Sequence, residues 1–113
     1  MIDIEKLKPK IIELLMPLKP KKIILFGSYA YGTPNKDSDI DLYIVTSDDF
    51  IPKNFEDSFK IKKEYFNALN DFTDNFATDM VIHTKKMNEK FLKLNSSFSR
   101  QIFTKGEVLY AQS

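Results

Sequence analysis

Cysteine and tryptophan are both absent from this chain. Without cysteine there is no disulfide, no thiolate nucleophile and no sulfur-ligated zinc. Stability must therefore come from packing, and any metal must be held by oxygen or imidazole. Imidazole is itself scarce, since His83 is the one histidine. Arginine is nearly missing too: Arg100 stands alone among 17 basic residues, which leaves little for bidentate clamping of phosphate. Neither charge sign dominates, with 17 basic against 16 acidic residues and a net charge of +1. That balance argues against a protein that lives on nucleic-acid backbones, although a local basic patch is compatible with it. Long apolar runs are lacking as well. None exceeds Ile23–Phe26, far short of the roughly 20 residues that cross a bilayer. The start, Met1-Ile2-Asp3-Ile4-Glu5-Lys6, lacks the basic-then-apolar order of a signal peptide. The expectation is a cytoplasmic protein with no membrane partner.

What is present suffices for one core. The 113 residues are 42% hydrophobic and 13% aromatic, with ten Phe and five Tyr as the bulky members, so residues 1–113 are expected to form a single domain. Ile4, Leu7, Ile11, Ile12, Leu14, Leu15 and Leu18 fall on a helical stripe, with Asp3 as its N-cap. Pro9 interrupts it, so the continuous helix is expected near Lys8, and Pro17 and Pro20 close it. Lys22–Phe26 reads as a short buried strand. Ser28 then caps a helical turn that Gly32 ends, and Thr33–Ser38 is a loop. Asp39–Val45 alternates Asp39, Asp41 and Tyr43 against Ile40, Leu42 and Ile44, which makes a strand with one apolar face and one special face. Phe55–Phe72 has Phe55, Phe59, Phe66, Leu69 and Phe72 at helical spacing, and this aromatic stripe is expected in the core; an exposed part would mark a protein interface. Thr78–His83 alternates as a third strand. Lys86–Leu94 and Phe98–Lys105 are helical, Gly106 is a stop, and Val108–Tyr110 is a last short strand. The alternation of α and β elements implies an α/β fold, a small sheet with helices packed against it.

The chemistry concentrates in Phe26-Gly27-Ser28, Gly32 and Asp37-Ser38-Asp39-Ile40-Asp41-Leu42. Aspartates at i and i+2 of a strand share a face, roughly 6–7 Å apart along the chain. Two like charges there are costly unless a cation sits between them. Mg²⁺ suits the place, because it takes a few carboxylates plus water and phosphate oxygens. Asp79 holds a matching position on another strand and supplies a third carboxylate if the two strands are neighbours. Alone, an Asp-x-Asp pair more often just faces solvent. Here a Gly-Ser turn follows an apolar strand, and its backbone N–H groups can receive phosphate oxygens at a helix start.

These residues together resemble the minimal nucleotidyltransferase (MNT) domain of the DNA polymerase β superfamily. The resemblance runs over nearly the whole chain, from the N-terminal helix to the Asp79 strand. It implies a nucleotidyltransferase fold (α+β) with a small mixed β-sheet. It further implies that Gly27, Ser28 and Ser38 bind the nucleoside triphosphate, while Asp39, Asp41 and Asp79 are the catalytic residues and ligands of two Mg²⁺ ions. ATP is the implied substrate, and AMP the group transferred. Relatives often carry arginine between Gly-Ser and the second glycine, where this chain has Tyr29 and Tyr31. Lys36 is one replacement for that charge; the tyrosines stacking on a base or facing a partner are the others.

The remaining polar residues read as structural. Asp37 forms a turn, the Lys60, Lys62, Lys63 cluster is a solvated helix face, and His83 and Arg100 are more often structural than functional. Three functions compete. The resemblance implies an antitoxin that attaches AMP to a tyrosine of a small helical HEPN-type toxin partner. A second reading is a catalytically weak module that neutralises such a partner by contact. A third is nucleotidylation of a small molecule, which needs an acceptor pocket this chain has little room to build.

Overall fold

The computed structural model describes residues 2–112. Its centre is a four-stranded mixed sheet in the order β3-β2-β1-β4. The strands are β1 (Lys22–Phe26), β2 (Ile40–Val45), β3 (Thr78–His83) and β4 (Glu107–Ala111). β1 runs antiparallel to β2 and to β4, while β2 and β3 are parallel. A parallel neighbour needs a crossover. Here it is α3 (Phe55–Ala68) followed by α4 (Asn70–Asn75). The other helices are α1 (Ile4–Leu15), the short α2 (Ser28–Tyr31), α5 (Lys85–Leu94) and α6 (Ser97–Lys105).

The alternation along β2 sorts its side chains between two cores. Ile40, Leu42 and Ile44 join the larger one, with Ile11 and Leu15 of α1, Tyr65 and Leu69 at the end of α3, and Phe72 of α4. Tyr43 and Val45 point the other way, into a smaller core with Ile24 and Ile102, flanked by Phe91 and Phe103. Helices therefore cover both faces: α1, α3 and α4 on one, α5 and α6 on the other. Each fully buried Ile or Leu contributes about 1.5–3 kcal/mol of transfer free energy, so β1 and β2, buried along most of their length, anchor the fold.

Three details depart from expectation. Helix α1 begins at Ile4, and Pro9 lies inside it. One missing backbone bond is tolerated because Asp3 caps the end, accepting from the Glu5 N–H at 3.2 Å, and the apolar stripe docks on the sheet. The expected Phe55–Phe72 helix breaks at Leu69. Its aromatic stripe is not mainly core either: Phe55 is 81% exposed, and Phe59 and Phe66 are also in water. Only the far end of that stripe, Leu69 and Phe72, is buried; along α3 itself Ile61, Tyr65 and Ala68 form a second apolar stripe beside the first, and that is the one packed in the core. Finally, Gly106 ends α6 in extended backbone, not in a left-handed turn. Its requirement is space, since a Cβ there would strike the Ile102 carbonyl and the Ile24 side chain. Among the described residues no helix is long and apolar enough to cross a membrane.

Candidate active site

Register builds the site. Asp41 of β2 pairs with Asp79 of the parallel β3, and on its other side with Phe26 of β1. Paired residues share a face, so Asp79, Asp41 and Phe26 form a row across three strands, with neighbours about 4.8 Å apart. Asp39 precedes β2 by one residue and is exposed, as is Asp79 at the sheet edge; Asp41 between them is half-buried. The row lies on the α5/α6 face, at the end those helices leave open. Of the three acidic residues expected to act together, Asp41 and Asp79 thus fall on one face, and Asp39, just before the strand, is near enough for its charge to reach Asp41.

Their electrostatics are unbalanced. No lysine or arginine among the described residues forms an ion pair with any of the three. Burial pushes the Asp41 carboxyl up to about 6, and the nearby charges of Asp79 and Asp39 add to the shift. Such a set suits a hard, oxygen-seeking divalent cation, which would remove the repulsion. As they stand, no three acidic or imidazole side chains among the described residues converge closely enough to ligate one ion. Asp39 and Asp79 are exposed, so each has room to turn toward Asp41.

Gly27 sits against this row. Its backbone has φ +75°, and a Cβ built on it would overlap the Asp41 carboxylate. Both facts require glycine. Gly27 occupies the N-cap position of α2, and no side chain caps that helix. Ser28 is thus the first helical residue and not the cap the sequence suggested. The Ala30 and Tyr31 N–H groups both donate to the Gly27 carbonyl at 3.0 Å; those of Ser28 and Tyr29, at the start of α2, have no acceptor in the turn and follow directly on the glycine that touches Asp41.

Ser38 is partly committed to the loop. Its hydroxyl accepts from the Asn35 N–H at 2.9 Å, and its own N–H donates to the Asn35 carbonyl at 3.1 Å; the hydroxyl proton remains to be given elsewhere. Asn35 is also the turn former, because its side chain accepts from the Asp37 N–H. Tyr29, weighed as a base or partner contact, is instead buried in the larger core. Tyr31 reaches α6, with its Oη 3.5 Å from the Gln101 carbonyl. Lys36 is exposed in the loop.

His83 stands apart from the acids, four residues beyond Asp79 on the same strand and so roughly 13 Å away. Its Nδ1 lies 2.9 Å from Tyr43 Oη, which also donates to Asn88 Oδ1 at 2.7 Å. With the tyrosine proton given to Asn88, Nδ1 must carry a hydrogen and donate to the tyrosine oxygen. Burial, with Lys62 nearby, lowers the His83 pKa, so the ring is neutral and structural. Arg100 donates to the Asn95 carbonyl and the Ser97 hydroxyl, closing the α5–α6 turn. The Tyr43–His83–Asn88 network is the arrangement that sequence reasoning missed; an alternating strand carries no sign that a tyrosine and a histidine from two strands will meet an asparagine from a helix.

Comparison with known proteins identifies the family. The family described as "Polymerase beta, Nucleotidyltransferase" matches residues 9–113. "Putative protein adenylyltransferase MJ0604" of Methanocaldococcus jannaschii is 36% identical over 90 residues, covering 80% of this chain and 78% of that protein. Among solved structures, a chain of a toxin–antitoxin complex with AMP-PNP is 26% identical with a TM-score of 0.53, covering 94% of this chain and 74% of the other. A chain from the complex of tri-AMPylated Shewanella oneidensis HEPN toxin with MNT antitoxin is 22% identical, with a TM-score of 0.50 and coverage of 96% and 72%. The last likeness is one of fold.

Proposed function

The chain belongs to the polymerase beta nucleotidyltransferase family, and from that premise we propose that it transfers AMP from ATP to a hydroxyl group, a tyrosine of a HEPN-type toxin partner, and so acts as an antitoxin. Residues 1–113 serve as one catalytic unit. The M. jannaschii relative's name and the toxin–antitoxin complex with AMP-PNP support AMP as the group and a protein as the acceptor. The observation that carries the reading is the register of Asp41 with Asp79, with Asp39 one step before the strand and Gly27 pressed on the Asp41 carboxylate.

In chemical terms, the acceptor oxygen forms a bond to the α-phosphorus and the bond to the departing pyrophosphate breaks. Mg²⁺, two ions on this reading, would be held by Asp39, Asp41 and Asp79 and would neutralise charge on the triphosphate and the attacking oxygen. The protein's own work is positional. Gly27 leaves room for the Asp41 carboxylate beside the turn, the Ser28 N–H and hydroxyl receive phosphate oxygens, and the free proton of Ser38 is available to another. Asp79, exposed at the rim, is placed to take the proton of the incoming hydroxyl. On this reading the acceptor lies on a second chain, the HEPN-type partner. Incubating the chain and its partner with labelled ATP and Mg²⁺ should label the partner. Absence of transfer by the unaltered protein would remove the enzymatic reading.

One observation favours contact alone. Tyr29 is buried in the core, and Lys36 is the one cation in the loop between the Gly-Ser turn and the acids, so the triphosphate has few positive partners. If Asp41→Asn neutralises the toxin as well as the unaltered chain does, binding suffices.

A further inference from the structure

We propose that Phe98, backed by Phe26, is the platform on which the purine base of the nucleotide stacks; this rests on the nucleotide reading above and extends it to a residue outside the motif. Phe26 is the third member of the row across the sheet, beside Asp41 on the flank away from Asp79. Phe98, in the first turn of α6, packs edge-on against it with ring centroids 5.7 Å apart and planes at 79°. Phe91 meets Phe98 at 5.9 Å from the other helix. Two partly buried rings thus fix the orientation of Phe98, yet 45% of it stays exposed.

Exposure alone means little, because single surface aromatics are common. Position distinguishes this one. Phe55 and Phe59 stack on each other on α3, across the sheet from the acids. Phe98 belongs to the carboxylate face and is joined to the acidic row by direct contact with Phe26. One strand step and one ring contact separate Asp41 from the Phe98 ring, roughly 10 Å in all, a gap that a ribose and triphosphate bridge. Gln101, three residues on and hence on the same side of α6, is exposed, and its carbonyl receives Tyr31 of α2. The phosphate turn and the ring are therefore tied to each other. The Gln101 amide offers both a donor and an acceptor to a base edge. Stacking on a phenyl ring accepts any base but gains most from the wider purines.

The test separates base from phosphate. Isothermal titration of the purified chain would compare Mg²⁺·ATP with Mg²⁺·tripolyphosphate, which carries no base, for the unaltered protein, Phe98→Ala and Phe98→Tyr. Loss of one stacked base should weaken ATP binding by Phe98→Ala roughly 5- to 150-fold, leave tripolyphosphate binding unchanged, and be rescued by Phe98→Tyr. Unchanged ATP affinity in Phe98→Ala overturns the platform. So does equal loss of both ligands, because a base platform cannot touch a ligand without a base. An unaltered protein that binds tripolyphosphate as tightly as ATP also overturns it while sparing the catalytic reading. Failure of the unaltered protein to bind either ligand overturns the nucleotide reading, and the platform with it.

Discussion

Replacing Asp41 by asparagine should make the metal-free protein more stable. Burial and two neighbouring negative charges raise the Asp41 carboxyl from 3.8 to about 6, so in neutral solution the folded state carries a charge it would rather neutralise. A displacement of about two pH units corresponds to at most ~3 kcal/mol. The carboxyl is only half-buried, and discounting for solvent screening leaves ~1.5 kcal/mol. For a domain of this size that is a rise in Tm of about 6 °C. The sign is set by linkage. The folded protein holds the Asp41 proton more tightly than the unfolded chain does, so this stabilisation is complete below pH ~4 and is lost as the pH rises through ~6. Thermal unfolding followed by circular dichroism in EDTA should therefore find Asp41→Asn the more stable protein at pH 8, with the gap shrinking from pH 6 downward and gone near pH 4. His83, whose lowered pKa acts in the opposite sense below its ordinary value, cancels because the two proteins are compared at each pH. A variant no more stable than the parent at pH 8, or a gap constant with pH, would refute the electrostatic account of the site.

Other substitutions test the surroundings. Gly27→Ala forces a Cβ onto the Asp41 carboxylate at a left-handed φ and should cost roughly 1–3 kcal/mol in urea unfolding, with loss of nucleotide binding. Tyr43→Phe strands His83 Nδ1 and Asn88 Oδ1; it should cost about 1–3 kcal/mol and leave the nucleotide Kd unchanged by calorimetry. Phe72→Ala opens the larger core and should cost about 3–5 kcal/mol in urea unfolding, whereas Phe55→Ser on the exposed face should stay within about 0.5 kcal/mol.

The strands and the alternation that sets Asp41 apart from Ile40 and Leu42 were legible because a period of two needs only neighbouring residues. Asp39, Asp41 and Tyr43 fall opposite Ile40, Leu42 and Ile44, as the sequence pattern requires, and β1 and β3 have the predicted bounds. The Asp41–Asp79 register was not legible, since it depends on a crossover helix returning the chain beside β2. Helical periodicity misled at α3, where two apolar stripes lie side by side and spacing cannot choose between them; packing on the sheet chose Ile61 and Tyr65 over Phe55 and Phe59. The role of Gly27 was half visible: a turn glycine was evident, its contact with Asp41 was not.

The alternation along β2 has a consequence for assembly. Sliding that strand by a single residue against β1 would drive Asp39 and Asp41 into the hydrocarbon interior and push Ile40 and Leu42 out. Misaligned chains are thus penalised by the very groups the chemistry needs, and no inactive but well-packed isomer of the sheet is available. Any molecule that completes its fold has, by the same act, set Asp41 beside Asp79.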